Sequence, residues 1–185
     1  MNITVYCASA MGDDPAYQQA AEEVGEWIAR SGHRLVYGGG KAGLMGVVAD
    51  TVLKNGGQVT GVIPEFLVER ELLHSSLTEA VIANSMSERR DKMIELGDAF
   101  ITLPGGTGTL DEIGEIAALT RLGRISKPCI IYDVNGFYQP LMELFENMIR
   151  AGFLRKEERS RILVVQNVQE IEKFIKFSDT ESYAL

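Results

Sequence analysis

The sequence predicts a single α/β domain with a parallel sheet, and three observations carry that prediction. Short apolar, β-branched runs alternate with amphipathic helical stretches along most of the chain, the signature of repeated βαβ units. Glycine clusters follow two of those runs, where the strand-to-helix turns of such a sheet fall. The length, 185 residues and 20.4 kDa, suits one hydrophobic core without disulfides or a structural metal.

Taken in order, the spacing predicts strands over 3–7, 34–37, 59–63, 79–83, 99–103, 129–132 and 162–165, with helices between them. The first helix starts at Asp13 or Asp14 as N-cap, with Pro15 in its first turn and Tyr17, Ala20, Val24, Trp27 and Ile28 at helical spacing. It reads as a covering helix, which assigns Trp27 to the core and not to a cofactor platform. The domain is taken as 1–177, with 178–185 as a polar tail.

Composition narrows the function classes. Net charge is −8 with a pI near 4.9, and no Lys/Arg run forms the basic stripe that a nucleic acid requires. An acidic chain that binds an anion must gather positive potential locally, at helix N-termini, loop amides or a few arginines. Cys7 and Cys129 lie in apolar runs, His33 and His74 are far apart, and no zinc spacing exists, so no metal is expected. No stretch reaches the roughly 18 apolar residues of a membrane span, and the N-terminus lacks a signal-peptide pattern. The expectation is a cytoplasmic, reduced protein with no cofactor and no membrane partner.

Two glycine-rich junctions are candidates for ligand binding. The first, YGGGKAGLMG over 37–46, holds Gly38, Gly40 and Gly43 in G-x-G-x-x-G spacing, with Gly39 between them. Alone this is a weak signal. A dinucleotide site would place it after the first strand, which ends instead in Cys7-Ala8-Ser9-Ala10, although Glu65 stands roughly where a ribose-binding acid would. A Walker A motif is absent, because Lys41 is followed by Ala42 and not by the hydroxyl that binds Mg²⁺.

The second junction, LPGGTGTLDEIGEIAAL over 103–119, is more informative. Pro104 ends a strand, and Gly105, Gly106 and Gly108 around Thr107 permit a tight turn whose amides an anion can approach. Thr109 is read as opening a helix, with Asp111 and Glu112 in its first turn. Thr109-Leu110-Asp111-Glu112 is also a capping box, which would explain Glu112 without any function. It leaves the three preceding glycines unexplained. Upstream, NSMSERRDKMIELGDAF over 84–100 reads as a strand end and a helix striped by Met86, Arg90, Met93, Ile94 and Gly97, with Arg89 at the border. Two arginines at the positive end of a helix are unfavourable unless an anion is near, or unless Asp91, Glu95 or Asp98 pairs with them.

Through YGGGKAGLMG, Met86-Ser87-Glu88-Arg89-Arg90 and Pro104-Gly105-Gly106-Thr107-Gly108-Thr109-Leu110-Asp111-Glu112, the chain resembles the LONELY GUY (LOG) family of cytokinin riboside 5′-monophosphate phosphoribohydrolases. The family pattern P-G-G-x-G-T-x-x-E is matched in full, and the resemblance runs from Tyr6 to about Gly152. It implies a Rossmann-like, doubly wound α/β fold, a homodimer or higher assembly, no metal, and hydrolysis of N6-modified AMP to free base and ribose 5-phosphate. The family's catalytic residues fall on Arg89 and Glu112, and its phosphate loop on Gly106, Thr107, Gly108 and Thr109. A substrate-contacting acid falls on Glu71, after Arg70. Met86, Arg90, Gly39, Gly40 and Gly105 are taken as further substrate or phosphate contacts.

The chain also departs from the family pattern. Arg90 stands for a usual Lys, Asn84 for an Asp, Cys7-Ala8-Ser9-Ala10 for Cys-Gly-Ser-Ser, and the run Thr120 to Ser126 for W-A-Q-L-G-x-H. These changes fall where the resemblance places the base pocket or the dimer edge, so they bear on base specificity and not on bond cleavage. Family members also carry a lysine decarboxylase label, but pyridoxal phosphate chemistry needs a Schiff-base lysine with a phosphate cup, and this pattern marks none.

Breaking a ribosyl C1′–N bond builds positive charge on C1′ and O4′, which an ionised carboxylate stabilises. Glu112 would supply it, held ionised at neutral pH by the helix N-terminus. Arg89 either clamps phosphate or orients Glu112, and His74 is a weak candidate for protonating the leaving base. Three alternatives stay open: a broad AMP or nucleoside-monophosphate hydrolase, a non-catalytic nucleotide-binding module, and an NAD-dependent oxidoreductase.

Overall fold

In the computed structural model, residues 1–68 and 73–181 are described, with side chains through residue 176. Seven strands form one sheet in the order β4-β3-β2-β1-β5-β6-β7, and every neighbouring pair is parallel. They are β1 (Asn2–Tyr6), β2 (Arg34–Tyr37), β3 (Gln58–Pro64), β4 (Glu79–Ala83), β5 (Ala99–Thr102), β6 (Cys129–Tyr132) and β7 (Ile162–Val165). Each strand expected from the sequence is present. The helices are α1 (Pro15–Arg30), α2 (Gly43–Lys54), α3 (Met86–Leu96), α4 (Thr107–Arg121), α5 (Gln139–Arg150), α6 (Lys156–Arg159) and α7 (Val168–Glu181). The last of these runs into the stretch read above as a polar tail.

Alternation along the strands divides the core into two layers. Ile3 and Val5 of β1 face α1, α2 and α7, where Val24, Ile28, Val48 and Ile171 are fully buried. Tyr6 faces the other way, toward Met93 of α3 and Ile116 of α4. Trp27 is buried in the first layer, as its spacing predicts. Helix α1 starts at Asp14, whose carboxylate accepts from the Ala16 amide at 2.9 Å, with Pro15 in the first position.

Strand order reverses between β1 and β5, so the chain winds outward one way through β2–β4 and the other way through β5–β7. Loops leaving β1 and β5 therefore part, and a crevice opens beyond their carboxyl ends. Its floor is tied together by main-chain bonds from Leu103 N to Tyr6 O (2.9 Å) and from Ala8 N to Pro104 O (3.2 Å). The loop before α2 presses on the same place. Gly43 has φ +60°, and a Cβ there would collide with the Ser9 backbone, which is why glycine is needed.

No helix among the described residues is long and apolar enough to cross a membrane. Among the same residues, no group of three or more His, Cys, Asp and Glu side chains could hold a metal ion.

Candidate active site

A cleft of about 270 Å³ occupies the crevice. The segment from Tyr6 to Ala10 forms one wall, Gly38 and Met45 another, Arg89 and Met93 of α3 a third, and Gly106, Thr107, Gly108, Thr109 and Glu112 of α4 the last.

Helix α4 starts at Thr107 with Gly106 as N-cap, and no side chain caps it. This corrects the expectation that Thr109 is the cap. Thr109 lies in the first turn, 5% exposed, and Glu112 lies in the second turn, so the capping box Thr109–Glu112 does not form. Helix α3, by contrast, carries a side-chain N-cap. There Ser85 Oγ accepts from the Glu88 amide at 3.1 Å, and the Glu88 carboxylate accepts from Asn84 N and Nδ2, both at 2.7 Å. The first turn of α4 is left as an uncapped, positively polarised helix end facing the cleft. Added Cβ atoms at Gly106 and Gly108 would meet nothing within 4 Å, so the loop surface is open to an approaching anion.

The two arginines exchange the places the stripe assigns them. Arg89 is 6% exposed and lies inward with Met93, while Arg90 lies at the α3–α4 boundary. Arg89 Nε donates to Val62 O (3.2 Å) and Nη2 to Gly38 O (3.1 Å), which hangs the guanidinium from the ends of β3 and β2. Gly38 is required because a Cβ at that position would collide with Arg89 Nη2. A guanidinium has five N–H donors, so this anchoring leaves others for a ligand in the cleft. Arg90 is otherwise engaged: Nε pairs with Glu115 at 2.7 Å and Nη1 with Asp111 at 3.0 Å, locking α3 to α4. None of Asp91, Glu95 and Asp98 is its partner.

Burial pushes the Glu112 carboxyl up to about 7, with Asp111 and Glu115 adding to the rise and the charges of Arg89 and Arg90 opposing it. The sequence reading expected a fully ionised glutamate. Placed in the second turn and partly withdrawn from water, Glu112 is instead poised between its two protonation states at neutral pH. Tyr6 and Cys7, beside it, are pushed well up by burial and by the Glu112 charge, so both stay neutral.

The other expected site residues divide. Gly106, Thr107, Gly108 and Thr109 join Arg89 and Glu112 in the cleft. Gly39 and Gly40 do not line it; they join the segment before β4, through His74 N to Gly39 O (3.0 Å) and a bridge between Gly40 and Leu73. Gly105 lines a neighbouring apolar pocket with Tyr17, Leu44 and Phe137. Met86 stands 36% exposed on α3, its sulfur 3.9 Å from Arg89 Nη1. Glu71 and Arg70 lie outside the described residues. His74 is buried with Nε2 on Asp50 (3.0 Å) and Nδ1 accepting from Ser76 N (3.2 Å); it does not line the cleft. The resemblance put Cys7 to Ala10 at the base pocket or the dimer edge, and they line the cleft; Tyr6 beside them, which the sequence reading did not assign to the site, joins through the adjacency of β1 and β5.

A protein-family model described as "Possible lysine decarboxylase" matches residues 45–175. A cytokinin riboside 5′-monophosphate phosphoribohydrolase of Rhodococcoides fascians is 43% identical over 91% of this chain and 85% of its own length. The LOG protein of Oryza sativa subsp. japonica, of the same description, is 40% identical over 91% of this chain and 70% of its own. The chain belongs to the LOG family. Likeness in shape reaches further than the LOG relatives: the molybdenum cofactor binding protein of Rippkaea orientalis superposes with a TM-score of 0.71 at 21% identity, over 95% of this chain and 94% of that one. At that identity the likeness shows a shared fold. Against the LOG pattern, Asn84 proves to be a capping partner of Glu88, and Cys7 to Ala10 border the cleft itself.

Proposed function

We propose that this LOG-family protein hydrolyses the N-glycosidic bond of purine nucleoside 5′-monophosphates, N6-modified AMP among them, giving free base and ribose 5-phosphate. The observation that supports this best is the meeting of an uncapped helix end, Arg89 and a raised Glu112 in one cleft. The amides of Thr107, Gly108 and Thr109 take the 5′-phosphate. Arg89, anchored to carbonyls and not ion-paired with Glu112, gives its remaining donors to substrate oxygens. Glu112, when ionised, stabilises positive charge at C1′ and orients the attacking water; its pKa near 7 lets it receive that water's proton. The phosphate binding energy, realised far from the scissile bond, fixes the ribose in register with Glu112.

A decarboxylase reading does not fit the donor set, since no lysine lines the cleft to form a Schiff base. The carrier reading that the structural neighbours bring to mind has no use for a carboxylate beside an anion site. We further propose a cytoplasmic homodimer. Leu110 on α4, Leu122 just after that helix and Met86 on α3 are exposed apolar side chains that a second subunit would cover.

Comparing AMP with adenosine tests the phosphate assignment. Adenosine should be slower in kcat/KM by about two orders of magnitude or more, at roughly tenfold per 1.4 kcal/mol of lost binding. Equal turnover of the two would refute the cradle.

A further inference from the structure

We propose that Tyr138 is a positioning residue for the phosphate loop, an inference that rests on reading Gly106, Thr107, Gly108 and Thr109 as the phosphate cradle. The main chain just before the cradle, at Leu103 and Pro104, is held at three points. Two are main-chain bonds to β1 and its loop, Leu103 N to Tyr6 O and Ala8 N to Pro104 O. The third is a side chain: Tyr138 Oη donates to Leu103 O at 2.8 Å from 35 residues away.

Tyr138 is itself fixed by a chain of bonds that starts at the far side of the sheet. Asp133 N donates to Val165 O of β7 (2.8 Å), and the Asp133 carboxylate accepts from the Tyr138 amide at 2.7 Å. Both residues are buried, Asp133 at 6% and Tyr138 at 5% exposure. Between them the chain reverses through Asn135 (φ 52°) and Gly136 (φ 75°), two left-handed residues in succession that aim Tyr138 back toward β5. Phe137 packs edge-on against the Tyr138 ring at 4.9 Å and against Tyr17 at 5.6 Å, a packing contact separate from the hydroxyl's bond.

A buried tyrosine needs a partner for its hydroxyl, and many carbonyls would serve. The one chosen immediately precedes Pro104-Gly105-Gly106, where glycines make the backbone soft and where a displacement of a few tenths of an ångström moves the cradle amides. Tyr138 does not line the cleft, so it touches neither substrate nor reacting atoms. Its hydroxyl acts on the loop through the Leu103 carbonyl.

Ribose 5-phosphate binding measured by calorimetry, with kcat and KM for AMP, tests this on wild type, Tyr138→Phe, Asp133→Asn and Phe137→Leu. Tyr138→Phe should raise both the Kd for ribose 5-phosphate and the KM for AMP by about 3–10-fold, the worth of one hydrogen bond, with kcat within about twofold. Asp133→Asn should shift Kd the same way by less. Phe137→Leu keeps the hydroxyl and should lower the melting temperature while leaving Kd unchanged, which separates positioning from packing. Wild-type Kd and KM in Tyr138→Phe, with only the melting temperature reduced, would overturn the inference; if that variant does not fold, an unchanged Kd in Asp133→Asn does so. A wild type that binds no ribose 5-phosphate removes the cradle and this inference together, a result distinct from equal binding by wild type and variant.

Discussion

Glu112 and Arg89 show how burial, more than charge, sets the character of each group in the cleft. Because burial raises the Glu112 carboxyl to about 7, kcat/KM should rise with pH along an acid limb centred near 7, and Glu112→Gln should abolish that limb together with most of the activity. The same shift has a stability consequence. A carboxyl whose folded pKa lies above its unfolded value near 4.5 contributes stability fully present below pH ~4.5 and lost as pH rises through 7. Glu112→Gln should therefore melt above wild type at pH 8, by on the order of 1 kcal/mol, and close to it at pH 4.5. Melting curves at the two pH values check this, and a variant less stable at pH 8 would contradict the burial argument. For Arg89, Gly38→Ala inserts a methyl where Nη2 lies. The guanidinium must then leave the Gly38 carbonyl, and activity should fall by at least about tenfold in a chain that still folds; near-normal turnover would mean that this anchor does not place Arg89.

At the scale of elements, α3 and α4 carry similar cap sequences and use them differently. Ser85-Met86-Ser87-Glu88 caps its helix, whereas Thr109-Leu110-Asp111-Glu112 sits inside one. Ser85→Ala should cost about 1 kcal/mol and Thr109→Ala less, since only the first loses a cap; urea titrations giving the reverse order would contradict this assignment. The comparison also shows where sequence reading works and where it fails. Short apolar, β-branched runs between helical stretches identified all seven strands, because the inner strands of a parallel sheet are buried on both faces. Pro15 after an Asp13-Asp14 pair marked the start of α1, and the structure gives the cap to Asp14. Helical periodicity misplaced Arg89, because neighbours on a helix lie only about 100° apart and a short helix with few apolar residues fixes its buried face poorly, and polar residues carry no signal of which carbonyls they will reach. Val62 and Gly38, its partners, lie 27 and 51 residues away. Cys7 to Ala10 could be placed near the site only through the family resemblance, and Tyr6 not at all, since the adjacency of β1 and β5 is a fact of topology and not of local pattern.

For the molecule as a whole, the reversal of strand order creates the site and the glycines allow it to be lined by backbone. In the proposed function an acidic chain of net charge −8 would hold an anion through positive potential gathered at one helix end and one buried guanidinium. Two exposed leucines, Leu110 of α4 and Leu122 just beyond it, lead us to expect a dimer at micromolar concentration by light scattering. A fully active monomer would contradict that and leave those leucines as isolated surface residues. The most direct test of the central claim is chromatographic detection of free base and ribose 5-phosphate from AMP and isopentenyladenosine monophosphate, with wild type and Glu112→Gln side by side at pH 7.5. Wild type should release the two products in equal amounts, and the variant should be slower by roughly two to four orders of magnitude. No base released from either nucleotide by wild type, or equal rates in the two proteins, would contradict the hydrolase account.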